Sequence, residues 1–182
     1  MTPGEVEAFR RDGAVVLRGL CKDWVEVIAA GIERNMREPS QHAMESVKPG
    51  EPGRFFDDYC NWERIPEFRR VIEESPIAQA AAAAMKSSSA QFFHDDPDND
   101  PSMRVLEWRM EPGDAVLFDF RTVHGAHGNP HGKRRRVLSL RWVGDDAVYV
   151  ERPGRTSPPF PGHDMTAGQK LREDWFPVLW RG

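Results

Sequence analysis

Helix signals end at Met85, and strand signals take over from Ala90. Helices followed by strands build an α+β architecture, whereas regular alternation of the two builds a parallel sheet. Thr2, Pro3 and Glu5 form a start signal for a helix over 3–12, and Gly13 ends it. The β-branched run 13–20 reads as a strand. Asp23 is placed to cap a second helix, whose apolar residues Trp24, Val27, Ile28 and Ile32 recur at helical spacing to about Met36. Residues 39–53 hold three prolines and two glycines and read as a loop. Pro66 opens a helix to Glu74, and Pro76 opens another that ends near Met85.

In the second half, strands are expected at 90–95, 103–110, 115–122 and 137–143, with a sixth segment at 147–151. Glu111-Pro112-Gly113-Asp114 has Pro and Gly at the two central positions of a type II turn. Residues 151–182 begin as a proline-rich tail. The whole chain of 182 residues is expected to form one domain, with 1–89 mainly helical, 90–150 β-rich and 151–182 as the tail.

Composition narrows the function classes. The net charge is -4, so neither nucleic acid nor an anionic membrane is an expected partner. No apolar run approaches the roughly 20 residues of a bilayer span. Two cysteines, Cys21 and Cys60, make no disulfide framework, and a reducing, cytoplasmic setting is the expectation. Cys60 reads as a small buried filler. Six Trp and ten Phe supply core material, including FFDDYCNW (55–62) and DWFPVLW (174–180), read as core and lid packing. Asp57 and Asp58 read as surface or capping residues, with substrate contact as the alternative.

Chemistry-bearing residues cluster in the loop HGAHGNPHG, which holds His124, His127 and His131. These histidines either face water as a polar loop or bind a metal such as zinc. His94 and Asp96 form a His-x-Asp pair upstream. With His124 they supply the atoms of a two-histidine, one-carboxylate triad of the kind that holds iron(II). Lys133-Arg134-Arg135-Arg136 follows the histidine loop. Strand alternation from Arg135 to Leu140 turns one arginine inward, where it needs an anion.

The blocks FFDDYCNWERIPEFRRVIEESPIAQAAAAAM, AQFFHD and EWRMEPGDAVLFDFRTVHGAHGNPHGKRRRVLSLRWVGDDAVYVERPGRTSPPF resemble the phytanoyl-CoA dioxygenase family of iron(II)/2-oxoglutarate oxygenases. The resemblance implies N-terminal helices packed on a double-stranded β-helix, a jelly-roll or cupin-like barrel. It implies His124 as the distal iron ligand and Arg135, eleven residues on, as the anchor for the 2-oxoglutarate carboxylate. The cofactors implied are Fe(II) and 2-oxoglutarate, and the partners a small organic substrate and dioxygen. The planar fork of an arginine suits such a carboxylate. The family's Trp-His-x-Asp segment is not found, because only residues 96–110 separate Asp95 from Glu111. The chain therefore reads as a family member with a truncated barrel, and His94 and Asp96 are the substitutes for the missing ligands. A truncated barrel leaves open sheet edges, so self-association is expected. The alternative is an inactive relative that binds an acidic metabolite or pairs with another subunit.

Overall fold

A computed structural model describes residues 1–46, 55–86, 104–125, 129, 133–154 and 162–181. The first helix, α1 (Pro3–Asp12), starts on a full capping box. The Thr2 hydroxyl accepts from the Glu5 N–H at 3.3 Å, and the Glu5 carboxylate accepts from the Thr2 N–H at 2.6 Å. Gly13 closes the helix in the left-handed region (φ 68°), donating to the Phe9 carbonyl at 2.8 Å. Strand β1 (Ala14–Leu17) follows at once.

A short 3-10 turn (Lys22–Trp24) then leads into α2 (Val25–Arg37). Asp23 sits inside that turn, and no side chain caps α2. Strands β2 (Met44–Ser46) and β3 (Phe55–Asp57) form an antiparallel pair. The expected loop over 39–53 therefore contains a three-residue strand. Helices α3 (Pro66–Glu74) and α4 (Ile77–Met85) lie where their prolines put them, with Pro76 just ahead of α4.

Strand β4 (Ala115–Phe118) returns to β1 and pairs with it antiparallel, Ala14 opposite Phe118 and Leu17 opposite Ala115. Phe9, Val15 and Leu17 bury against Ala80 and Ala84, with Leu117 beside them. Ala80 and Ala84 lie four residues apart on one face of α4, and their small side chains let the helix sit close to α1 and β1. A second buried layer, Ile65, Phe68, Val71 and Ile72, joins α3 to α2.

Mixed α+β structure is thus present, but among the described residues the sheets are two-stranded and close no barrel. The strand expected at 115–122 stops at Phe118, and 119–122 is a turn. Residues 104–110 and 137–143 belong to no strand among the described residues. The second of these keeps the strand period. Leu138, Leu140 and Trp142 are half-buried, while Val137, Ser139, Arg141 and Val143 are exposed. Sequence alternation sets which side chains turn inward, but a strand also needs a neighbouring backbone to bond. The segment 147–151 makes a single bridge, Val148 to Lys170. The strand expected at 90–95 lies outside the described residues.

Candidate functional site

Both ends of β4 are tied to the N-terminal elements. At its start, the turn 111–114 closes with the Asp114 N–H donating to the Glu111 carbonyl at 3.0 Å, Gly113 taking φ 93°. The Asp114 carboxylate accepts from the Glu111 N–H (3.0 Å), the Gly19 N–H (2.7 Å) and the Arg18 guanidinium (2.7 Å). These donors, the Glu111 amide foremost, hold its pKa down at about 2. Arg18 also donates to the Arg109 carbonyl at 2.6 Å, and the Cys21 N–H donates to the Gly113 carbonyl at 2.8 Å.

At the far end, the buried Asp119 takes the Arg121 guanidinium in a two-pronged pair at 2.8 and 2.7 Å. The Asp119 N–H and the Thr122 hydroxyl both donate to the Gly13 carbonyl, at 2.8 and 3.0 Å. The hinge between α1 and β1 therefore fixes the turn that leads to His124.

His124 is exposed, and its ring lies tilted on the Phe118 ring with centroids 4.2 Å apart. Its Nδ1 lies 2.8 Å from the Thr122 carbonyl. A carbonyl only accepts, so Nδ1 carries a proton, and in the neutral imidazole the lone pair is then on Nε2. This is the arrangement of a metal-binding histidine oriented by a backbone carbonyl.

The basic run settles on α2. Glu33 takes Arg134 at 2.5 Å and Arg136 at 3.0 Å. Arg134 also reaches the Met36 sulfur at 3.9 Å. The Asn129 side chain donates to the Lys133 carbonyl just before the run. Alternation leads to the expectation of one inward arginine; Arg134 and Arg136 instead stay exposed, and their anion is a carboxylate of the protein itself. Arg135, between them, is exposed.

Of the expected site residues, His124 and Arg135 are described. His94, Asp96, His127 and His131 lie outside the described residues. Among the described residues no three His, Cys, Asp or Glu side chains gather as a metal site. Two shallow grooves, one between α2 and α3 and one beside Leu179 and Trp180, adjoin neither His124 nor Arg135.

Asp58 has a structural role. Its carboxylate is fully buried, accepts from the Ser40 N–H (3.0 Å), the Ser40 hydroxyl and the Tyr59 N–H (2.9 Å), and meets Arg64 at 3.3 Å. Arg64 reaches on to the Glu38 carbonyl and Asn35. Asp58 is thus neither the surface residue nor the helix cap expected, and its long-range partners were not legible in the sequence. Cys60 is exposed, with a left-handed backbone (φ 52°), and is not the buried filler expected. Burial, with Asp58 adding to it and Arg141 opposing it, still raises its thiol pKa. Trp175 and Phe176 are half-buried as packing residues, whereas Trp180 and Phe55 stand largely exposed.

Glu33 and Thr122 are what sequence reasoning missed. Two arginines at i and i+2 signal a shared acidic partner, but nothing in the sequence says which carboxylate. No helix among the described residues is long and apolar enough to cross a membrane. Residues 61–137 match the family model described as phytanoyl-CoA dioxygenase (PhyH), a span that contains His94, Asp96, His124 and Arg135. No curated protein matches the chain, and no solved structure matches it.

Proposed function

We propose, from the match of residues 61–137 to the phytanoyl-CoA dioxygenase family model, that the protein is an iron(II)/2-oxoglutarate-dependent oxygenase that hydroxylates a small organic substrate. The observation that carries the reading is the tautomer of His124. With Nδ1–H spent on the Thr122 carbonyl, an exposed Nε2 lone pair stands at the end of the β4 turn. The donor chemistry present fits one metal bond at His124 and one carboxylate at Arg135. His94 and Asp96 are proposed as the remaining ligands.

Iron(II) with 2-oxoglutarate and dioxygen supplies the oxidising chemistry. The chain supplies the rest. The Thr122 carbonyl fixes the imidazole and raises the basicity of Nε2. The Phe118 ring restricts rotation of the imidazole. Arg135 is proposed as the carboxylate anchor because the planar fork of an arginine suits bidentate carboxylate binding. Among the described residues the β1–β4 ribbon has no third strand, which supports self-association, and a clean monomer in sedimentation would count against it.

The test is an anaerobic titration with manganese(II), a redox-silent stand-in for iron, and 2-oxoglutarate. His124→Ala is expected to abolish metal binding. Arg135→Ala is expected to keep metal binding and lose 2-oxoglutarate. A parent protein that binds neither ligand overturns the reading and leaves the metabolite-binding or subunit-pairing alternative.

A further inference from the structure

We infer that His163 is the pin of an acid-sensitive clasp. Its neutral imidazole holds the C-terminal residues 163–176 against Tyr149, and its charged form releases them. The clasp has a strap and a turn. The Tyr149 N–H donates to the Gln169 carbonyl at 2.8 Å, and the Gly168 N–H donates back to the Tyr149 carbonyl at 2.9 Å. Val148 and Lys170 complete the bridge. The turn 166–169 presents these groups. The Gln169 N–H donates to the Thr166 carbonyl at 3.0 Å, the Thr166 N–H donates to the Gln169 side-chain oxygen at 3.1 Å, and Gly168 takes φ 84°.

His163 sets where that turn begins. Its Nδ1 accepts from the Met165 N–H at 2.9 Å. Between the two, Asp164 is left-handed at φ 51°, a conformation that costs free energy in a residue with a β-carbon. The bond to Nδ1 and the burial of Met165, only 6% exposed, hold it there. The imidazole also lies against the Tyr149 ring, centroids 4.6 Å apart, and meets the Trp175 ring edge-on at 6.5 Å. One side chain thus touches the strap, the turn and the segment behind the turn.

An amide N–H only donates, so Nδ1 holds a lone pair and Nε2 carries the proton of the neutral ring. The next proton goes to Nδ1, where it would set N–H against N–H. The imidazolium and this bond therefore exclude each other. Nearby charges are already matched. The Arg172 guanidinium donates to the His163 carbonyl at 3.3 Å and is a like charge. Asp174 is taken by Arg172 at 2.9 and 2.5 Å, which lowers its pKa. Glu173 pairs with Arg181 at 3.7 Å, and Lys170 adds a positive charge at the bridge. Asp164 acts on Arg172 and is exposed, as are Asp145, Asp146 and Glu151 on the strap, so water screens them. Leu179 and Trp180, further along the same segment, line a groove with Ser75 and Gln79 beside α3 and α4. Opening the clasp loosens the cover of that corner.

The experiment is hydrogen exchange on the whole chain, read as protection factors at the Met165, Gly168 and Tyr149 amides between about pH 7.5 and about pH 5. A roughly tenfold loss of protection is expected on acidification, with the α3 amides unchanged. His163→Asn places a carbonyl oxygen where Nδ1 stands, as in an Asx-turn, and does not titrate. Its protection should stay level across the range. His163→Phe keeps a ring but no acceptor, and should show the low protection at both ends.

Level protection in the parent overturns the clasp. So does a loss in His163→Asn equal to that of the parent, or an equal loss in α3, which would mean that the whole molecule opens. If the variants do not fold, the parent alone decides. The midpoint of its protection change should coincide with the titration of the His163 imidazole followed by NMR, and two separate midpoints overturn the inference.

Discussion

At Gly113 the backbone runs at φ 93°, and a β-carbon there would stand 2.7 Å from the Lys22 Cα and 2.9 Å from its nitrogen. Both obstacles are backbone, held in place by the Cys21 N–H bond to the Gly113 carbonyl. Alanine would meet the strain of a positive φ and a contact that cannot relax. Gly113→Ala is expected to lower unfolding stability by about 2–4 kcal/mol, measured by urea denaturation. An unchanged midpoint would mean that the 18–22 segment moves aside freely. The Pro-Gly turn itself was readable, because turn chemistry is local. The partners of the neighbouring Asp114 were not, because Gly19 lies 95 residues away and no local rule reaches that far. His124 shows the same division. Its residue type and loop suggested a ligand, but its tautomer depends on where the Thr122 carbonyl points.

Among the elements, α2 meets α3 at Gly31. A β-carbon at Gly31 would lie 2.6 Å from the Phe68 ring, which is only 2% exposed. Gly31→Ala gains roughly 1 kcal/mol in helix propensity. It loses roughly 1–3 kcal/mol to overpacking, so the expected net effect is destabilising. A rise in melting temperature would show that the ring shifts and the propensity gain dominates. Local signals placed these helices well. Pro3, Pro66 and Pro76 mark three starts, and the capping box of Thr2 and Glu5 is present as read. The start of α2 was misread at Asp23, because a 3-10 turn occupies Lys22–Trp24 and cap propensity does not distinguish the two helix types. Strands were harder. Residues 137–143 alternate as a strand should, but pairing is a property of two segments.

For the molecule as a whole, several carboxylates sit on arginines or amides that hold their pKa values low, among them Asp12, Glu67, Asp174 and Asp114. A lowered folded-state value means stability that is fully present above the ordinary carboxylate range and is lost as pH falls. For Asp114 that loss runs from about 3.8 down to about 2. Asp114→Asn should therefore melt below the parent above pH 3.8, and the gap should close as pH approaches 2. A gap that stays constant through this window would mean that shape, not charge, sets the role of Asp114. How the helices and the β1–β4 pair assemble was legible only as an α+β division. The barrel expected from family resemblance is not closed among the described residues.

The pairing of β1 with β4 also sets an order of events during synthesis. The Thr122 hydroxyl bonds the Gly13 carbonyl across 109 residues of chain. β1 therefore leaves the ribosome long before the strand that completes it. Closing so long a loop is entropically costly and slow. Until β4 emerges, Val15 and Leu17 have α1, Leu20 and, later, the alanines of α4 to cover them. The first strand made is among the last parts finished, and in that interval a nascent chain presents an apolar strand that chaperones can bind and neighbouring chains can capture.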